Sequence, residues 1–282
     1  MISVKKHPVR FILLFYLVCF VFRAIEYIFI RTDESVIGEA FIHKLIGIVL
    51  LAVALRALHY KWSDIGFRKE QAARGICLGL LFGGIVYAIA YGSEIISQVS
   101  AGNSPSLQFF ATSYSAQGNQ VMQAGGLFVF ICIVGNIINV IMEEGVFRGL
   151  FVKLAEEKYS FMKACLLSSL LFGVWHIAQP VRNVLDGVQS PMGALMLGMM
   201  LVGTSMLGGI QYVLMYKMTG ALWAGMAAHF VNNAIVNLLH VVTASGIDEM
   251  QVVRITIAQA LSFIVVLILF LIRNKAGTTA LK

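Results

Sequence analysis

Apolar residues fall along this chain in blocks of about 20, the length a helix needs to cross a bilayer, separated by short polar stretches. The pattern predicts eight transmembrane helices, over 11–30, 41–58, 75–98, 122–155, 161–179, 192–216, 220–242 and 252–272. The first follows Lys5, Lys6 and Arg10. It is too long for the apolar region of a signal peptide and lacks a small-residue cleavage site, so it is expected to stay as a span. Inside it, Arg23 and Glu26 lie one turn apart and are expected to pair. The fold class is therefore all-α, a polytopic membrane bundle forming one domain over 1–282, with its motif-bearing core at about 120–242. Glycines at 75, 79 and 83 recur every four residues, a close-packing face for a neighbouring helix. Glycines 193, 198, 203, 208 and 209 suggest close packing in the sixth span, with a mobile gate as the alternative.

Composition agrees. Of the 282 residues 59% are hydrophobic and only 12% charged, against about 25% charged in soluble domains. The net charge of +7 does not point to nucleic acid, because the cations gather in alternate loops. They lie before span one, at 56–74, at 153–163, at Lys217 and after span eight. The other side has only Arg31, Lys44, Arg182 and Arg254, and segment 99–121 has no charge. By the positive-inside rule both termini are cytoplasmic and the protein is a multi-pass protein of the cell membrane. The four cysteines lie within apolar spans and read as packing residues.

Against this background some polar residues stand out, because ionisable groups within a bilayer are costly and mark functional sites. Glu143 and Glu144 interrupt an apolar run. His176 lies in Phe-Gly-Val-Trp-His, and His229 and Asn233 in His-Phe-Val-Asn-Asn. Helical spacing puts Asn136, Asn139 and Glu143 on one face, Ser169, Phe172 and His176 on another, and His229, Asn233 and Asn237 on a third. Glu143 and His176 lie equally far from the turn at 156–160, so an antiparallel hairpin places them at one depth. The three stripes are expected to face a wet cavity open towards the cytoplasm. Glu94, His43, His59 and His240 lie near span ends and read as interfacial.

A carboxylate and an imidazole around one water make a general base, and an imidazole N–H with an Asn amide suits a developing oxyanion. Together they describe amide hydrolysis. Alternatively, Glu143, His176 and His229 form a His₂Glu zinc set with an open position, though no His-Glu-x-x-His is present. Glu144 and Arg148 are i, i+4 neighbours suited to a salt bridge. Taken singly, His176 reads as an interior histidine and Asn233 as interhelical glue.

Glu-Glu-x-x-x-Arg (Glu143, Glu144, Arg148), Phe-x-x-x-His (Phe172, His176) and His-x-x-x-Asn (His229, Asn233), in this order, resemble the CPBP intramembrane proteases, also called the ABI family, which includes the type II CAAX prenyl endopeptidases. The connector Trp-Ser-Asp-Ile-Gly-Phe at 62–67 adds weaker support. The resemblance implies an eight-helix membrane fold and peptide-bond cleavage. It further implies water activation by Glu143 with His176, an oxyanion hole from His229 with Asn233, and site support by Glu144 and Arg148. The family is called metalloprotease, yet a metal-free glutamate mechanism is also argued for it. A single divalent metal such as zinc thus remains an alternative, and the His–Asn pair favours the metal-free form. The implied partners are a membrane-anchored protein or peptide substrate and the lipid bilayer. Family members include processors of prenylated CAAX proteins and bacterial members linked to bacteriocin self-immunity or peptide maturation, and no feature here selects prenylation. A non-catalytic membrane regulator is the competing class. A proton-coupled transporter fits worse, because the chain lacks matched halves with broken helices.

Overall fold

The computed structural model describes residues 6–35, 40–112 and 125–279, with side chains to 275. Helix α1 (Pro8–Ile25) runs into a π-helical turn at Glu26–Ile30. Then come α2 (Ile42–Leu58) and α3 (Ala72–Ser100). A short strand β1 (Ser106–Phe109) precedes α4 (Gly126–Glu143). This helix continues through a π-helical segment, Glu144–Phe151, into α5 (Val152–Glu156). The remaining elements are α6 (Phe161–Val174), α7 (Ala178–Leu185), α8 (Pro191–Thr219), α9 (Trp223–Leu238), β2 (Leu239–Val242) and α10 (Gln251–Thr279).

These elements make an all-α polytopic bundle, and the protein is a multi-pass integral membrane protein. Among the described residues six helices are long and apolar enough to cross a bilayer. The other two predicted spans are shorter, with α2 at 17 residues and α9 at 16. The predicted span 220–242 does not remain helical to its end. Leu239–Val242 turns into a strand that pairs antiparallel with β1, Leu107 opposite Val241 and Gln108 opposite His240. Segment 99–121, expected to be a loop, supplies that partner strand. Large apolar side chains such as Leu14, Phe29, Ile85, Met199 and Ile272 point outward, as lipid-facing surfaces require.

Close packing uses small residues, because lipid gives helices no hydrophobic reason to associate. The Gly75–Gly79–Gly83 face packs on α9 as expected. A Cβ at Gly79 would lie 2.3 Å from the Ala224 carbonyl oxygen, and one at Gly83 2.9 Å from Val231 Cβ. On α8 the expectation holds only in part. Gly209 presses on Ser169 of α6, where a Cβ would come within 2.9 Å, whereas Gly203 has no neighbour within 4 Å. Cys19, Cys132 and Cys165 are buried packing residues, but Cys77 is exposed.

The helix ends away from the basic loops are tied by ion pairs. Arg31 pairs with Asp186 at 2.5 Å, Arg182 with Asp33 at 2.7 Å and with Glu34, and Arg254 with Glu94 at 2.5 Å and with Asp248. Glu94 is therefore a buried ion-pair partner and not an interface residue. His240 is likewise buried, stacked on Phe110 at 4.0 Å and in contact with Asp248 at 3.3 Å. The Asp248 carboxyl sits in the loop before α10. Burial would raise it, yet hydrogen bonds from His240 and Arg254, with the charge of Arg254, hold it below the ordinary carboxylate range.

Candidate active site

Glu143 closes the regular part of α4, where Asn136, Asn139 and Glu143 share a face as expected. From Glu144 the backbone widens to a π-helix, a local distortion that recurs at functional sites. The two neighbouring carboxylates then take different surroundings. Glu143 lines a cavity of about 570 Å³, while Glu144 is fully buried behind it.

Each oxygen of Glu143 has a donor. The Trp175 indole Nε1–H donates to Oε1 at 2.9 Å, and Asn139 Nδ2 donates to Oε2 at 3.3 Å. Asn136 also lines the cavity but donates to its own helix, at the Cys132 carbonyl. The expected Arg23–Glu26 pair is replaced. Arg23 Nη1 lies 4.0 Å from Glu143 Oε1, and Glu26 takes His43 instead, at 2.6 Å. His43 is consequently buried, not interfacial.

α6 ends at Val174, and one 3₁₀ turn, Trp175–Ile177, carries His176. Its Nδ1 lies 2.9 Å from the Phe172 carbonyl oxygen. A carbonyl only accepts, so Nδ1 carries the proton and Nε2 of the neutral ring offers its lone pair. His176 lines the same cavity as Glu143 without a direct hydrogen bond to it.

On α9, His229 Nδ1 lies 2.8 Å from Glu144 Oε1, and its Nε2 lies 3.7 Å from Glu143 Oε2. The ring stacks on Tyr212 at 5.0 Å. Glu144 in turn meets Arg148 at 3.4 Å, and the Arg148 guanidinium sits 3.8 Å over the Phe172 ring. The Glu144–Arg148 pair is thus more than mutual neutralisation, since it presents a carboxylate that orients His229, the arrangement by which partners fix an imidazole's tautomer. One turn on, Asn233 Oδ1 accepts from Asn232 Nδ2 at 3.0 Å, and Asn232 Oδ1 accepts from the Tyr87 hydroxyl at 2.8 Å. This chain leaves the Asn233 NH₂ free to donate into the cavity.

The six residues singled out from sequence are therefore brought together, four on the cavity and Glu144 with Arg148 behind. Ser169 and Asn237 belong to the expected stripes but do not line it. Ser169 faces Gly209, and Asn237 sits where α9 ends. Trp175, Arg23, Asn232 and Tyr87 were not anticipated. The signal for Trp175 was an indole N–H in an apolar span, which needs an acceptor. The cavity also extends differently from the expected cytoplasmic opening. Its lining runs from Glu143 to Lys44, Asn183 and Gln251, at the helix ends away from the basic loops.

The donor set does not assemble as a metal centre. Among the described residues no group of three His, Cys, Asp or Glu is placed to hold a metal ion. Both Glu143 oxygens face Trp175 and Asn139, and His229 Nδ1 faces Glu144.

Comparison with curated proteins and with solved structures gives no match. Residues 125–235, which hold Glu143, Glu144, Arg148, His176, His229 and Asn233, match the family model described as type II CAAX prenyl endopeptidase Rce1-like, so that this stretch of the chain is similar to that family.

Proposed function

We propose that the protein is an intramembrane endopeptidase that hydrolyses a peptide bond of a membrane-associated protein or peptide. The observation that carries this reading is the arrangement across the cavity, with the Glu143 carboxylate and the His176 Nε2 lone pair as acceptors and Asn233 and His229 as amide and imidazole donors. The Rce1-like match supports a CAAX-protease-like endopeptidase at the level of the family.

In this mechanism a water held between Glu143 and His176 gives its proton to Glu143 as its oxygen attacks the scissile carbonyl. The carbonyl oxygen becomes an oxyanion that accepts from Asn233 Nδ2 and His229 Nε2. A donor at Nε2, with Nδ1–H already turned to Glu144, requires the doubly protonated ring in this step. Glu143 then passes its proton to the leaving amine as the C–N bond breaks. The donors are pre-aimed by Glu144 and by the Tyr87–Asn232 chain, so little reorganisation is needed as charge develops.

Purified protein in micelles, incubated with a panel of membrane-anchored and farnesylated reporter peptides, tests the proposal. Wild type should cleave at least one reporter, and Glu143→Gln should not. Cleavage should persist in 1,10-phenanthroline. Cleavage abolished by the chelator and restored by zinc would replace the metal-free mechanism with a metal-dependent one. A wild type that cleaves none of the panel would overturn the protease reading in favour of a membrane binding partner.

A further inference from the structure

Arg23 lies on α1, far outside the stretch 125–235 that matches the family, yet it lines the same cavity. It is 5% exposed. Its Nη1 lies 4.0 Å from Glu143 Oε1, the oxygen that accepts the Trp175 indole. Its guanidinium also sits 4.7 Å over the Trp175 ring and 4.5 Å over Tyr27.

A chain of hydrogen bonds holds the guanidinium there. Nη2 donates to the Tyr27 hydroxyl at 3.2 Å, and Nη1 contacts His43 Nε2 at 3.1 Å. Arginine has no acceptor, so His43 Nε2 must accept. The neutral His43 ring then carries its proton on Nδ1 and donates it to Glu26 Oε2 at 2.6 Å. Glu26 also accepts from the backbone N–H groups of Ile42 at 2.9 Å and His43 at 2.6 Å. Those belong to the open N-terminal turn of α2, whose donors have no partner within the helix. The start of α2 thus fixes Glu26, Glu26 fixes His43, and His43 fixes Arg23 against Glu143. A buried cation between two buried carboxylates is costly to place in a membrane, and a purely structural link between α1 and α2 would not require it to face the cavity.

We propose that Arg23 is a positioning residue for the Glu143 base. With Trp175 it holds the Glu143 carboxylate in the orientation that takes a proton from the attacking water, and Glu26 and His43 hold Arg23. The inference rests on the protease reading above.

The test uses the full chain in lipid nanodiscs with a cleaved reporter peptide. Arg23→Met should lower kcat by roughly 10- to 100-fold, the size expected for losing a partner of a charged group. KM should stay within about twofold, because the interaction acts on the chemical step. Arg23→Lys should restore part of kcat, and Glu26→Gln should lower it in the same sense by less. If Arg23→Met does not fold, Arg23→Lys and Glu26→Gln carry the kinetic test. Independently of activity, the shifts in Tm of Arg23→Met and Glu143→Gln should fail to add in the double variant, as they must for two groups that interact.

Wild-type kcat in Arg23→Met, or a change in KM alone, would overturn the proposal, as would additive Tm shifts. A wild type that cleaves nothing, with non-additive shifts, would instead remove the protease reading and leave Arg23–Glu143 as a structural pair, so the two failures are distinguishable.

Discussion

Trp175 donates its indole N–H to Glu143 Oε1 at 2.9 Å, so the residue before His176 orients the carboxylate that faces His176 across the cavity. The indole is fully buried and packs edge-on to Phe147 at 5.6 Å and Phe20 at 6.1 Å. One side chain therefore serves both the packing of α1 against the turn that follows α6 and the orientation of the Glu143 carboxylate.

The first prediction separates these two roles. Trp175→Phe keeps most of the apolar contact and removes the donor. A hydrogen bond to a charged group contributes about 1.5–3 kcal/mol, so reporter cleavage should fall by roughly 10- to 100-fold. Circular dichroism should remain helical. Wild-type cleavage in this variant would mean that Asn139 and Arg23 suffice to place Glu143.

Glu144 gives a second prediction. Its carboxylate meets His229 Nδ1 at 2.8 Å and Arg148 at 3.4 Å without lining the cavity. Glu144→Gln keeps the shape and removes the charge that faces His229 Nδ1. The expected result is a loss of roughly 10- to 100-fold in kcat with substrate affinity retained. Because Arg148 would lose its counter-charge inside the membrane, Tm should fall too. An unchanged kcat would mean that the Glu144 charge does not act on the reaction through His229.

Much of this site is legible in the amino-acid sequence. Periodicity placed Asn139 and Glu143 on one face of α4 and His229 with Asn233 on one face of α9, and hairpin symmetry put Glu143 level with His176. Distant partners were not legible. Arg23 and Glu26 sit at a spacing that invites a helical pair, but the backbone opens to a π-turn at Glu26, with Arg31 N–H bonding to the Glu26 carbonyl at 2.7 Å. Their actual partners, Glu143 and His43, come from other helices. The strand at Leu239–Val242 was hidden because a short apolar run does not distinguish helix from strand, and its partner strand lies across an uncharged segment. The division of labour between Glu143 and Glu144 depends on the π-segment after Glu143, which no apolar period announces.

The third prediction concerns the contact between α3 and α9, which carries Tyr87 to Asn232 and so sets Asn233. At Gly79 an added Cβ would fall 2.3 Å from the Ala224 carbonyl oxygen and 2.6 Å from Ala227 Cβ, whereas at Gly84 it would meet nothing within 4 Å. Backbone cannot move aside as a flexible side chain can. Gly79→Ala should therefore destabilise the protein by about 1–3 kcal/mol, read as a fall in Tm, and should lower cleavage by displacing Asn233. Gly84→Ala, five residues on and on another face of the helix, should leave both within error. Equal behaviour of the two variants would mean that α3 and α9 do not pack through this face.

The last prediction follows from Asp248. Burial opposes its charge, but hydrogen bonds from His240 and Arg254, together with the charge of Arg254, hold its carboxyl below the ordinary range. A carboxyl that is more acidic folded than unfolded stabilises the fold at every pH above its unfolded value, and that contribution disappears as pH falls through the folded value. The cluster joins α3 through Glu94, the start of α10 through Arg254, and the β ribbon through His240. Wild type should thus lose Tm on acidification below the ordinary Asp range, and Asp248→Asn should show a lower Tm at neutral pH with less of this acid-dependent loss. The loss should begin at the end of the bundle that holds Gln251, whose side chain donates to the Val236 carbonyl at 2.9 Å and lines the cavity. Hydrogen exchange at low pH should accordingly rise first in 239–255 and later in α4. Parallel acid profiles for wild type and Asp248→Asn would show that the Arg254–Asp248 pair carries no net linkage.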